Sequence, residues 1–426
     1  MHRGFLIALF MSLRVSPLPA VDYENPPISY SDATPDNIIS RLQIRLESGA
    51  TKLDVSAPSG LLKSLLNELK IPISSQMLAF AKHSQQRHHI TSKNPRAIYF
   101  NDKAYVGWVP GGIIEIAVAD PMLGGVFYTL NHEDGLPPKI IRETNRCMTC
   151  HGTNRTLHVP GYQVRSVLVD ADSQPILAAG STRTNHTSPL SQRWGGWYVT
   201  GTHGDQKHLG NMVLPSSKKP KVIDNAAGLN VTDLSARLDL GQYLTPHSDI
   251  VALMVFEHQT DAHNLMTRLG MEVRLAEYAE TQRAAATDEG QAKLRAEADD
   301  RIKNEVESLV RYLLFSGEAK LTSPIQGTSS FAKDFAATVP RDAEGRSLGE
   351  LDLQRRLFKY PLSFMIYSEA FEAMPQRARA LVSQRLFEIL AVKDNAEPFA
   401  HLASDDRQAI AAILRATKPG SLDTTK

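Results

Sequence analysis

Cysteine is nearly absent from this sequence, which has only Cys147 and Cys150 among its 426 residues. With no third cysteine, a structural zinc site built on two cysteine pairs is excluded. No apolar run approaches the roughly 18 residues that a transmembrane helix needs. Neither sign of charge is in excess, because 47 basic residues face 46 acidic ones. This balance argues against a nucleic-acid-binding surface.

The composition is otherwise that of an ordinary soluble protein. Hydrophobic residues make up 42% of the chain and charged residues 22%. Such values are typical of globular domains, and the length allows two or three of them.

The N-terminus has the features of an export signal. His2 and Arg3 precede an apolar stretch from Gly4 to Leu13, and small residues lead to Ala20, after which cleavage is expected. Ten apolar residues are too few to span a bilayer. We therefore predict a signal peptide over residues 1–20 and a periplasmic location.

The pattern of the remaining chain predicts an α+β protein. An antiparallel-sheet domain is expected to be followed by an α-helical C-terminal domain. The predicted order is an N-terminal helical segment (21–75), a β-rich domain (76–215), a linker (216–246), a helical hairpin (247–318) and an α-helical C-terminal domain (319–426).

Local signals set several element borders. Thr34–Asp36 is expected to cap the first helix and Ser59 the second. Gly196–Gly201 is expected to form a strand, and Ser347 with Glu350 a capping box that opens a helix towards Tyr360. The charges of the helical hairpin are interpreted as a solvated face.

The two cysteines belong to one motif, Cys147–His151, with the pattern Cys-x-x-Cys-His. This pattern is the attachment signal for c-type haem, in which each sulfur adds to a haem vinyl group and the histidine becomes the proximal iron ligand. One motif predicts one covalent haem c. The motif follows the first strands of the β-rich domain and is expected on a loop or short helix.

Three other interpretations of the motif remain open. A redox-active Cys-x-x-Cys pair is expected near a β-α-β pattern, which is not apparent here. A zinc site lacks further cysteines. A short-loop disulfide leaves His151 unexplained.

The identity of a sixth iron ligand decides the chemistry of such a haem, because an open position permits gas binding or peroxide chemistry. The chain has 14 histidines and 11 methionines. Segment 183–212 follows strands of the presumed haem sheet, and its glycines allow the backbone to approach a porphyrin closely. The ranked candidates are His208 and His203, then His186 and Met212. For each of them, a surface or hydrogen-bonded role stays open.

Other polar groups are candidates for supporting roles. The cluster of His83, His88 and His89 is interpreted as polar surface, since no carboxylate lies nearby in the sequence. Arginines near the motif and in the aromatic segment are expected to pair with haem propionates: Arg142, Arg146, Arg155 and Arg193.

Three segments together resemble a widespread, uncharacterised family of exported bacterial monohaem c-type cytochrome-like proteins. They are Arg146–Gly152, Ser191–Gly204 and Phe358–Pro361. The strand order and motif placement over residues 76–215 also resemble PAS-like or Cache-like haem c domains. The resemblance implies haem binding and electron transfer, and it implies no substrate.

The expected function is therefore that of a periplasmic monohaem c-type cytochrome that passes single electrons to a partner protein. A haem enzyme of the peroxidase type is the main alternative, with an open distal site whose polar group is His186, Arg183 or Arg193. A haem-based sensor or gas-binding protein is the third possibility. No nucleic acid and no stable membrane span are expected.

Overall fold

The computed structural model describes residues 20–55, 59–132, 136–282, 288–391 and 396–422. All but the last residue of the predicted signal peptide lies outside the described residues. The strands are β1 (Met77–Ala79), β2 (Arg96–Phe100), β3 (Ala104–Trp108), β4 (Ile114–Asp120), β5 (Gly124–Asn131), β6 (Lys139–Arg142), β7 (Arg165–Val167), β8 (Ser181–Arg183), β9 (Gly201–Thr202) and β10 (Gln326–Gly327). The helices are α1 (Ile38–Glu47), α2 (Gly60–Glu68), α3 (Met148–His151), α4 (Ile250–Gln282), α5 (Asp288–Leu313), α6 (Phe331–Thr338), α7 (Glu369–Glu372), α8 (Gln376–Leu390) and α9 (Ser404–Thr417).

The first six strands form one antiparallel sheet in which each strand pairs with the next along the chain. β2 and β3 form a hairpin. Its turn is fixed by Asn101, whose Oδ1 accepts the N–H groups of Lys103 and Ala104, both over 3.0 Å. With the sheet followed by a helical C-terminal region, the α+β class is confirmed.

The two faces of the sheet bury different cores. Side chains alternate along each strand, so Val106 and Val118 pack with α1 and α2 on one face. Tyr105 and Phe127 point to the other face and pack with α4 and the C-terminal helices. The sheet is therefore the middle layer of the molecule.

The first helix begins later than predicted. Asn37, rather than Thr34, is its N-cap, because the Asn37 Oδ1 accepts the N–H groups of Ile39 and Ser40 over 3.0 and 3.1 Å. Asparagine is among the strongest N-cap residues. For the second helix, Ser59 occupies the predicted cap position.

The predicted helical hairpin is formed by α4 and α5. Arg268 of α4 forms an ion pair with Glu305 of α5 over 2.6 Å, and Glu272 with Arg301 over 3.4 Å. Residue numbers thus increase along α4 in the direction in which they decrease along α5, so the two helices are antiparallel.

The prediction that the charges of this hairpin form a solvated face is wrong for α4. Glu257, Asp261 and Arg268 are all buried, because α4 lies between the sheet and the C-terminal helices. Their polar groups are paired instead, for example Glu257 with Arg193 over 3.1 Å.

Two other local predictions are also wrong. Only Gly201 of the predicted strand Gly196–Gly201 belongs to a strand, β9. Residues 347–360 form turns and no helix. The capping contact itself is present, since the Ser347 N–H donates to the Glu350 carboxylate over 3.0 Å. The Ser347 hydroxyl accepts the Gly349 N–H over 3.1 Å, so the side-chain bonds here close a turn and do not start a helix.

The hydrophobic cores run across the predicted domain borders. One core joins residues of the N-terminal segment, such as Leu42, to the sheet and to Met271 of α4. The other joins Met77 of β1 to Leu414 of α9. The borders themselves stay predictions.

Candidate functional site

The Cys-x-x-Cys-His motif lies on α3, a single helical turn after the sixth strand. The His151 N–H donates to the Cys147 carbonyl over 3.0 Å, which closes the turn. Residues three apart on a helix share a face, so both thiols project from the same side of α3. Cys147 is half-buried, Cys150 is exposed, and both thiols are free.

His151 is oriented by one ring nitrogen. Its Nδ1 lies 2.8 Å from the carbonyl oxygen of Gly161. A carbonyl only accepts, so Nδ1 carries the proton and Nε2 keeps its lone pair. Burial lowers the pKa of His151 and keeps the ring neutral, while the side chain stays partly accessible. This tautomer is the one that a metal-ligating histidine needs.

Asn264 of α4 fixes the backbone that orients His151. Its Oδ1 accepts the Tyr162 N–H over 2.8 Å, and its Nδ2 donates to the Tyr162 carbonyl over 2.7 Å. The neighbouring Gly161 leaves room for this contact, because a Cβ there would lie 2.2 Å from the Asn264 Oδ1. The buried helix therefore controls the carbonyl that holds His151.

The Cys147 sulfur is a thiol and not a thiolate. Burial, together with the nearby carboxylates of Glu143 and Glu115, raises its pKa to about 12. Redox-active Cys-x-x-Cys motifs depend on a lowered cysteine pKa. The environment of Cys147 therefore does not favour that alternative.

Three other segments of the chain hold the motif in place. Phe127 of β5 packs its ring 4.5 Å from the His151 ring. Gln85 donates to the Arg146 carbonyl over 3.2 Å, and Gln163 donates to the Cys150 carbonyl, also over 3.2 Å. The motif thus lies between the sheet, the loop around residue 85 and the chain leading to β7.

Positive charge accumulates beside the motif. Arg165 donates to the Ser181 hydroxyl over 2.8 Å. Burial and the neighbouring Arg155 both lower the pKa of Arg165, while the charge of Cys150 opposes this. An anionic group placed here would relieve the repulsion between the two guanidinium groups.

The arginines predicted as propionate partners have different positions. Arg155 and Arg146 are exposed next to the motif. Arg142 donates to the backbone carbonyls of Tyr30 and Ala33, and Arg193 is buried against Glu257. Arg165 was missed, because fourteen residues separate it from His151 and only the fold brings it near.

The first two candidates for the sixth ligand lie inside the protein. His203 and His208 are buried with their rings 4.7 Å apart. The Nε2 of His203 accepts the Asn230 N–H, and the Nδ1 of His208 accepts the Gly210 N–H, each over 3.0 Å. Met212 is buried nearby in sequence. In the described part of the chain, neither histidine hydrogen-bonds to the motif, and their role as ligands stays a prediction.

The remaining candidates for the distal site are also engaged with other groups. His186 is buried beside Tyr312, and its Nδ1 lies 2.9 Å from the Nδ1 of His258. Arg183 forms an ion pair with Asp261 over 3.4 Å, and it donates to the Arg155 carbonyl. Arg183 is thus hydrogen-bonded to a residue that lies beside the motif.

A separate cavity of about 740 Å³ lies away from the motif. It is bounded by α2, by the β2–β3 turn and by aromatic side chains of the C-terminal region, among them Phe331, Phe335 and Phe364. Its size is within the range of small-molecule pockets.

The described residues include no cluster of three or more His, Cys, Asp or Glu side chains able to hold a metal ion. A haem iron needs none, since the porphyrin supplies four nitrogen ligands. Among the same residues, no helix is both long and apolar enough to cross a membrane. In comparisons with known proteins, no family model, no curated protein and no solved structure matches this chain.

Proposed function

We propose that this chain is an exported monohaem c-type cytochrome that transfers single electrons. The observation that carries the proposal is the tautomer of His151, which directly follows two free cysteines on one helical turn. Its Nδ1 proton is held by the Gly161 carbonyl over 2.8 Å, and its Nε2 lone pair is free for iron. The donor set of two sulfurs and one neutral imidazole fits a covalent haem c.

Attachment would use the thiols as they stand. The S–H bond of Cys147 or Cys150 adds across a vinyl double bond, with the sulfur joining one carbon and the hydrogen the other. When bound, the haem supplies an iron that cycles between Fe(II) and Fe(III). His151 would hold that iron through Nε2, and the Gly161 carbonyl would make the imidazole more electron-donating by accepting the hydrogen bond of its Nδ1–H group.

The charges around the motif support an anionic cofactor. Arg155 is a charged neighbour of Arg165, and the Arg165 guanidinium has only the neutral Ser181 hydroxyl as its hydrogen-bond partner among the described residues. Haem carries two propionates, and guanidinium groups bind carboxylates with paired hydrogen bonds. We assign propionate binding to Arg155 and Arg165, with Arg146 as a further candidate.

The wider assignment follows from the sequence. The N-terminal signal directs the chain to the periplasm, where a redox partner protein docks on it, and the helical C-terminal half serves as scaffold or docking surface. The antiparallel sheet beside the motif supports a PAS-like or Cache-like haem c domain over residues 76–215 as part of the same proposal.

The proposal is tested by expressing the full chain, with its signal, in bacteria that carry the haem c maturation machinery. Pyridine haemochrome spectra are expected to report one covalent haem c per chain. Cys147→Ala and Cys150→Ala each remove one thioether and shift the haemochrome band towards that of a single attachment. The exposed Thr149→Ala variant, inside the same motif, is the control and keeps the parent spectrum.

The coordination state then separates the three functions. Electron transfer predicts a six-coordinate low-spin haem that does not react with CO. A five-coordinate haem that binds CO or turns over peroxide would favour the enzyme or sensor instead. A purified, exported chain without covalent haem would refute the assignment altogether.

A further inference from the structure

The loop of residues 82–86, next to the first strand, lies directly against the motif. Gln85 donates to the Arg146 carbonyl over 3.2 Å. Ser84 donates to the carboxylate of Glu115 over 2.8 Å, and Glu115 lies on the sheet face that the motif covers. His83 directly precedes these two residues, which tie the loop to the motif and to the sheet.

The electrostatic neighbours of His83 are those of the motif. The positive charge of Arg96 lowers the pKa of both His83 and His151. Arg165 interacts with both His83 and Cys150. His83, His151 and Cys150 thus share arginine neighbours.

The His83 side chain is exposed, yet its charged form is strongly disfavoured. Burial within the surrounding protein lowers the pKa of His83 to about 3, and the charges of Arg165, Arg96 and Arg155 contribute. Because His83 is in contact with water and is also surrounded by protein, its side chain lies on a concave part of the surface. Its imidazole is therefore neutral at physiological pH, which is the form that ligates metals.

The ring of His83 is also free of competing contacts. It has no hydrogen-bond partner among the described residues, whereas His186, His203 and His208 are buried and bonded to other groups. A metal ligand must offer an unshared lone pair, and His83 offers one on a loop that is hydrogen-bonded to the motif.

We propose that His83 is the sixth ligand of the haem iron, opposite His151, which gives bis-histidine coordination. This inference rests on the proposed haem attachment. It replaces the interpretation of His83 as polar surface, which rested on the absence of a nearby carboxylate in the sequence. Glu115 is remote in sequence, and its carboxylate reaches the loop through the hydrogen bond from Ser84.

The test uses the purified holoprotein of the parent chain, His83→Ala and His83→Met. The parent is expected to be low-spin in absorption and EPR spectra. His83→Ala is expected to become high-spin in the ferric form, to bind CO stoichiometrically when reduced, and to return to low-spin with added imidazole. His83→Met is expected to stay six-coordinate with a higher reduction potential, because methionine favours the ferrous state.

The matched control is His88→Ala, which removes an exposed histidine five residues further along the chain. It is expected to keep the parent spectra and potential. A low-spin His83→Ala protein, or a parent that is already high-spin, would overturn the assignment of His83 while leaving the haem in place. Absence of the haemochrome in the parent would instead refute the proposed function.

Discussion

Asn264 offers the sharpest test of how the fold controls the motif. It makes two hydrogen bonds to the Tyr162 backbone, over 2.8 and 2.7 Å, and holds the carbonyl of Gly161 in line with His151. Asn264→Ala removes both bonds. Each bond contributes about 1 kcal/mol, and the orphaned, buried Tyr162 N–H costs about 1–3 kcal/mol more. We expect the free energy of unfolding to fall by about 3–5 kcal/mol.

In the proposed haem-bound protein, the same change should also alter the reduction potential of the iron. Without a fixed Gly161 carbonyl, the His151 imidazole donates less electron density, and the ferric state loses stabilisation. The reduction potential is therefore expected to rise. Gly161→Ala should act in the same direction, because its Cβ would lie 2.2 Å from the Asn264 Oδ1.

The measurements are urea unfolding followed by circular dichroism and potentiometric titration of the haem absorption. Asn304→Ala on α5 is the matched control, since Asn304 is exposed on a helix. It is expected to change the unfolding free energy by no more than about 0.5 kcal/mol. If Asn264→Ala unfolds like this control and keeps the parent potential, then α4 does not position His151.

Two further predictions concern stability. Burial raises the pKa of Glu257 to about 7, against 4.5 ordinarily, so its contribution to stability is complete below pH 4.5 and is lost as the pH rises to about 7. Glu257→Gln should flatten this part of the pH profile in thermal unfolding, and an unchanged slope would contradict the prediction. Leu62→Ala, at a fully buried position of α2, should cost about 2–5 kcal/mol in urea unfolding. The control Ile44→Ala, 65% exposed on α1, should cost little, and equal effects would show that the N-terminal helices do not share the core of the sheet.

Local sequence signals predicted the elements whose stability is local. Ser59, for example, was predicted as the cap residue of α2 and occupies that position. The same logic failed at Ser347 and Glu350, where the capping contact closes a turn without a following helix. A cap satisfies backbone groups, but the packing of later residues decides whether a helix continues.

Burial of charge could not be read from the helical pattern. The charges of α4 look like those of a solvent-facing helix, yet Glu257 and Arg268 are buried. Their partners Arg193 and Glu305 come from distant parts of the chain. Only tertiary structure determines whether a charged residue on a helix meets water or a partner.

The sequence alone determined the chemical groups of the motif: two cysteines, which are the only ones in the chain, and a histidine directly after them. Their spacing along one turn is a local property, so five consecutive residues suffice to state it. The tertiary structure decided the protonation of His151 through Gly161, the positive charge at Arg165 and the position of His83. These depend on contacts between segments far apart in the chain, and no local pattern encodes such contacts.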